Sequence, residues 1–214
     1  MVERIAIGLT DQIISEELIS KDMKDWYIYA LLRIIESALS VGTILILSLM
    51  FDVFVPTFGF WIFFNMLRKK TGGFHCEKYW QCYLGTVMIY MMIVIFESVI
   101  SSHTIALYAL LSISSIIILI IGTVNHPNMS WNIEEVREAK RISRYILAIE
   151  IGIIFFFMAI GITQIYITYM SMAVILCALL LCTAKIIKQE VRSDDETEKG
   201  KKNLVKRYSK GGRE

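Results

Sequence analysis

One imidazole and two thiols fall within a single short stretch, Arg68-Lys-Lys-Thr-Gly72-Gly73-Phe-His75-Cys76-Glu-Lys-Tyr-Trp-Gln-Cys82. A thiolate is the nucleophile of cysteine catalysis, and a nearby imidazole can take the thiol proton and later return it to a leaving amine. Imidazolium and the positive end of a helix both favour the charged sulfur. Spacing limits how His75 and Cys82 can meet. In one straight α-helix they would stand about 10.5 Å apart along the axis, well beyond a hydrogen bond of roughly 3 Å. The pair therefore needs a bent or re-entrant segment, or partners from two subunits. Gly72-Gly73 supply backbone freedom just before the histidine. The expected arrangement is an irregular segment through His75, then a helix from about Glu77 that carries Cys82.

The neighbouring residues allow several roles. Arg68, Lys69 and Lys70 read first as basic anchors at a membrane surface, and Arg68 could also hold a peptide carboxylate or a tetrahedral oxyanion. Gln81, beside Cys82, invites comparison with side-chain oxyanion donors, but reads first as a solvent-facing interfacial residue. A third group orienting His75 cannot be chosen from sequence; Glu77 and Glu97 are both available. A metal site could use His75, Cys76 and Cys82, but structural zinc normally takes four ligands and the stretch offers no clear fourth. No metal or cofactor is expected. Cys177 and Cys182, about 140° apart around a helix, read as apolar packing.

The elements that must position this stretch follow from composition. Of 214 residues 56% are hydrophobic and 20% charged, with 2 prolines and a mean hydropathy of +0.57, too apolar for a soluble domain of this length. A net charge of +2 gives no basic field for nucleic acid, and four irregularly spaced cysteines are no disulfide framework. Glu3, Asp11, Glu16 and Glu17 precede any long apolar stretch, so the start does not read as a cleavable signal peptide.

A spanning helix needs about 20 mostly apolar residues. Residues 37–67 carry one charge, Asp52, followed by Pro56 and Gly59, which predicts two helices turning near 51–56; the first begins near Trp26 and takes in Arg33 and Glu36, placed to neutralise each other. A third span covers about 82–100, with Glu97 inside, and a fourth 104–124 after a turn at Ser101-Ser102-His103. Residues 151–184 would make a helix of about 51 Å, too long for one crossing, so two spans of 145–161 and 165–187 are expected, broken at Gly161-Ile162-Thr163-Gln164. The fold class is thus an all-α polytopic membrane helix bundle of about six transmembrane helices. Before it, residues 1–25 read as an amphipathic interfacial helix, with Ile13, Ile14, Leu18 and Ile19 at helical spacing. Residues 26–187 form the membrane domain, and 188–214 a charged tail with little apolar content.

The turns near 52, 102 and 163 contain no Lys or Arg, whereas 68–78, 134–144 and the tail from Lys185 are basic. The positive-inside rule then puts both termini and the 68–82 segment in the cytoplasm. Glu97 and Glu150 fall inside spans, where each must be neutral, paired or close to a helix end.

The pattern of Arg68, Gly72-Gly73, His75 and Cys82 resembles the active-site motif of the accessory gene regulator B (AgrB) family, membrane cysteine peptidases of bacterial quorum sensing. Asn125-His126-Pro127-Asn128 and the charged stretch after it resemble that family's loop after the fourth span, and the likeness runs from about residue 5 to 186. Cys76 departs from the pattern and leaves open which thiol attacks. The resemblance implies a bacterial cell-membrane enzyme that cleaves the C-terminal tail of an AgrD-like precursor peptide through an acyl-enzyme thioester and promotes cyclisation to a thiolactone or lactone signal. His75 and Cys82 would be catalytic, Arg68, Gly72, Gly73 and Gln81 would serve substrate or oxyanion, and the enzyme would be a homodimer in the lipid bilayer. A passive scaffold or transporter explains the spans but leaves the Gly-Gly-His segment unused.

Overall fold

In lipid every backbone amide must find its partner within the chain, so long apolar segments fold as helices. The computed structural model describes residues 2–16, 24–72, 79–125 and 132–187, and these form α1 (Val2–Ser15), α2 (Lys24–Met50), α3 (Phe54–Thr71), α4 (Tyr79–Ser102), α5 (Thr104–Ile121), α6 (Ile133–Ala159) and α7 (Gln164–Ile186). The described residues contain helices and turns but no strand. Five helices, α2 and α4 to α7, are long and apolar enough to cross a membrane. The expected sixth, α3, has only 18 residues and ends in Arg68, Lys69 and Lys70, so its apolar part, 54–67, reaches only about 21 Å.

This short helix is nonetheless central. It packs most extensively against α7, which also contacts α5, α4 and α6. In α7 61% of the span is buried, against 22% or less in the other four, so α7 is the axis of the bundle and the others present apolar faces outward. Exposed Ile105, Ile113, Ile116 and Ile120 on α5 fit contact with lipid tails. Dispersion packing and buried polar contacts, rather than water exclusion, hold such helices together. Thr57 and Tyr90 share a 2.9 Å hydrogen bond between α3 and α4. Ser101 donates to Glu97 at 2.6 Å and shares a 2.9 Å bond with Thr168 of α7.

The predicted turns are present with small shifts. Asp52 sits in the left-handed region (φ 58) between α2 and α3, a conformation its short polar side chain tolerates. Only His103 separates α4 from α5, because Ser101 and Ser102 complete the last turn of α4. Gly161 (φ 72) breaks α6 from α7 as expected. Tyr108 of α5 donates to Gln164 at 3.2 Å, and a cavity near Asp52 is lined by Pro56, Ile165 and Tyr166. The three charge-poor turns therefore share one end of the bundle.

Two points refine the expectations. The N-terminal helix is described over Val2–Ser15, and 17–23 lie outside the described residues. It packs on α2 through its small residues Ala6 and Thr10, both fully buried, while Ile5, Ile7 and Leu9 are exposed; Leu18 and Ile19 lie outside the described residues. Asp11 and Lys24 pair across this contact, though both are exposed enough that the pair contributes little. The second point is at α6. Its charged stretch 134–144 is not a loop but the first turns of the helix, which therefore stands about 18 Å beyond residue 145. The reason is a capping box: Asn132 Oδ1 accepts from the Ile133 amide at 2.8 Å and the Asn132 amide donates to Glu135 Oε2 at 2.7 Å. Asn132→Ala should weaken this end by about 1 kcal/mol. Hydrogen exchange should then quicken in the first turn of α6 and leave α7 unchanged.

Candidate active site at the basic end of the bundle

The site is built where α3 stops. The last carbonyls of a helix have no partner within it, and here several are met by other groups. Thr71 Oγ1 donates to Leu67 O at 3.1 Å, and the Gly72 amide to Arg68 O at 3.1 Å. Thr123 Oγ1 donates to Lys70 O at 2.6 Å, and the Val124 amide to Thr71 O at 3.0 Å. Arg68 Nη1 donates to Gly72 O. The end of α3 is thus closed by its own side chains and by the connector 122–125.

Gly72 turns the chain here with φ 66 and ψ −141, a region open essentially to glycine alone. A Cβ at this position would lie 2.5 Å from Val124 O. The connector is in turn fastened to α6. Ser143 Oγ donates to Gly122 O at 3.1 Å, and Lys140 packs over Gly122, its Cγ 3.0 Å from where a Cβ would stand.

Cys82 lies in the first turn of α4, which begins at Tyr79. It is half-buried and unbridged, and its carbonyl accepts from Thr86 Oγ1 at 2.8 Å. Gln81 beside it is exposed. Arg68 is more sheltered than Lys69. Burial holds its guanidinium below the usual arginine value, and Cys177 and Cys82, near enough to act on it electrostatically, oppose that shift. Arg68 thus ties the end of α3 through Gly72 O and lies within electrostatic reach of Cys82. Cys177, fully buried in α7, has its Sγ 3.7 Å from Phe64 O, so its environment is partly polar rather than the purely apolar one expected.

Arg68 and Gly72 are joined at the end of α3, and Cys82 begins α4 within electrostatic reach of Arg68. His75, Cys76, Gly73 and Glu77 lie outside the described residues, as do 126–131. Of the three possible zinc ligands, only Cys82 is described. Glu97 lies far from Cys82. It is 15 residues along α4 from Cys82, about 22 Å, and is bonded to Ser101 near the opposite end. Glu150 is buried in α6, and neither of its oxygens has a hydrogen-bond partner among the described residues. Thr123 and Val124 went unnoticed in the sequence, since nothing local marks two residues that bond a helix end 53 positions earlier.

Fold and composition define a multi-pass membrane protein, an all-α bundle whose basic segments gather at one end. The family model for Accessory gene regulator B matches residues 6–186, and the chain belongs to that family. Membership assigns it to quorum sensing, in the processing of an autoinducer peptide from an AgrD-like precursor. No curated protein and no solved structure matches the chain.

Proposed function

We infer that the protein is a cysteine endopeptidase that removes the C-terminal tail of an AgrD-like precursor and passes the remaining acyl group on to ring closure. The observation that carries this reading is Cys82: a half-buried, unbridged thiol at the start of α4, within electrostatic reach of Arg68 and ten residues after the strained turn at Gly72. His75 takes the Cys82 proton, and the thiolate adds to the carbonyl that joins the future ring to the tail. The tetrahedral oxyanion then collapses, the C–N bond breaks, and His75 returns the proton to the departing amine. A thioester to Cys82 remains. Attack by a Cys or Ser side chain of the bound peptide releases the thiol and closes the ring.

Water competes for the same thioester. A held intramolecular nucleophile can reach an effective molarity of about 10⁵ M or more, and a site at the bilayer boundary limits water. The scheme calls for no metal or nucleotide. Arg68 already bonds Gly72 O, so its part in oxyanion or carboxylate binding is secondary to holding the turn. Co-expression with the precursor, read by mass spectrometry, tests the reading: release of the intact tail together with a product lighter by one water than the linear fragment is expected, and an unprocessed precursor would refute it.

The basic end faces the cytoplasm in this account, with both termini and the segments 68–82 and 125–144 inside, because Lys and Arg concentrate there. Impermeant thiol reagents applied to intact cells should fail to label single cysteines placed in the tail and should label one placed at Asp52. The reverse pattern would invert the topology. The enzyme also acts as a homodimer with each site completed within one subunit. The exposed Ile5, Ile7 and Leu9 of α1 give lipid or a second copy an apolar face.

A further inference from the structure

We propose that the connector 122–125 is a positioning element of the active site, with Thr123 its principal residue. Its contacts meet the chain at the point where α3 ends. Thr123 Oγ1 and the Val124 amide take the carbonyls of Lys70 and Thr71, and Val124 O closes over Gly72 so tightly that only glycine fits. Thr123 is 1% exposed, so its hydroxyl has no water to turn to, and its bond to the Lys70 carbonyl closes the end of α3. These bonds fix the direction in which the chain leaves Gly72, on its way to His75 and then to Cys82. They also hold the carbonyl that Arg68 bonds, since its guanidinium donates to Gly72 O.

The other side of the connector rests on α6 through Ser143 and Lys140. A continuous set of contacts therefore runs from α6 through the connector to the start of the catalytic segment. The spans do not depend on it, because α3 is held along its length by α7. Loss of the Thr123 hydrogen bond should leave the bundle standing and misplace the reacting groups. The inference rests on the reading of Cys82 and His75 as a catalytic pair.

The test uses the full chain in vesicles with four substitutions: His75→Ala, Thr123→Val, Thr123→Ser and Ser143→Ala. Valine keeps the shape of threonine and lacks the donor, whereas serine keeps the donor. Precursor cleavage is resolved into kcat and KM, and the rate of Cys82 alkylation is followed against pH by peptide mass spectrometry. Thr123→Val should lower kcat roughly 10- to 100-fold with KM little changed and shift the alkylation profile towards that of His75→Ala. Thr123→Ser should stay within about threefold of the parent. Ser143→Ala, one contact further out, should move kcat in the same direction by less, and it carries the test if Thr123→Val does not fold. Wild-type kcat and an unaltered profile in Thr123→Val, or equal losses in the valine and serine variants, would overturn the positioning role alone. A profile that His75→Ala leaves unchanged would overturn the catalytic pair and the positioning role with it.

Discussion

Replacing Cys82 with alanine should abolish release of the precursor tail, with cleavage falling by about 10⁴-fold or more, as it does when an activated nucleophile is lost. The protein should still assemble. Cys82 is half-buried in the first turn of α4, its carbonyl partner Thr86 is met through the backbone, and removing one sulfur there opens no large cavity. The informative comparison is Cys76→Ala, which should keep much of the cleavage. Cys76 lies next to His75 in sequence, whereas Cys82 stands where a helix begins, within electrostatic reach of Arg68. A gel-shift assay of the precursor in the two variants decides between them, and the opposite pattern would move the nucleophile to Cys76.

The second large effect belongs to Gly72→Ala. Its φ of 66 with ψ −141 costs a residue with a Cβ about 1–3 kcal/mol in strain. Space makes matters worse, because the new Cβ would meet Val124 O at 2.5 Å. That oxygen is backbone and cannot swing away as a side chain would. Relief requires the connector to move, which would break the Val124–Thr71 and Thr123–Lys70 bonds. Cleavage should therefore drop at least about tenfold. Two controls separate site from fold. Gly85→Ala, in the second turn of α4 with nothing within 4 Å of its would-be Cβ, should be neutral or slightly stabilising. Gly122→Ala should fall between, because its positive φ is strained but the atom in its way is the flexible Lys140 side chain. Equal activity in Gly72→Ala and Gly85→Ala would refute the account of the turn.

Much of this architecture was legible in the sequence because lipid is an exacting solvent. Gaps between charges gave the spans, and basic residues gave the pairing of loops. Hydrogen bonds between Tyr108 and Gln164 and between Thr123 and Lys70 bear this out by gathering the charge-poor turns at one end and the basic segments at the other. The extension of α6 was misread because Glu134, Arg137 and Lys140 look like a loop when hydropathy is the only guide. The local signal was present in Asn132 and Glu135, spaced as a capping box. α3 is short for a span, and its buried Phe60, Phe63 and Leu67 belong to the core that it forms with the central α7. At the site, the place of Cys82 at a helix start could be read from the change in composition after Lys78. The closure of α3 by Arg68 and by a connector far along the chain could not, because it is purely tertiary.

The central claim is an acyl-enzyme on Cys82, and trapping it is the most direct measurement. A precursor whose ring-closing Cys or Ser is replaced by alanine can be cleaved but cannot cyclise, so the thioester should persist until water reaches it. Rapid acid quench and mass spectrometry of the digested enzyme should find the precursor's N-terminal fragment attached to the peptide bearing Cys82, and hydroxylamine should remove it. The free tail should appear in equal amount. Tail released with no adduct, at the same rate in the parent chain and in Cys82→Ala, would contradict the account.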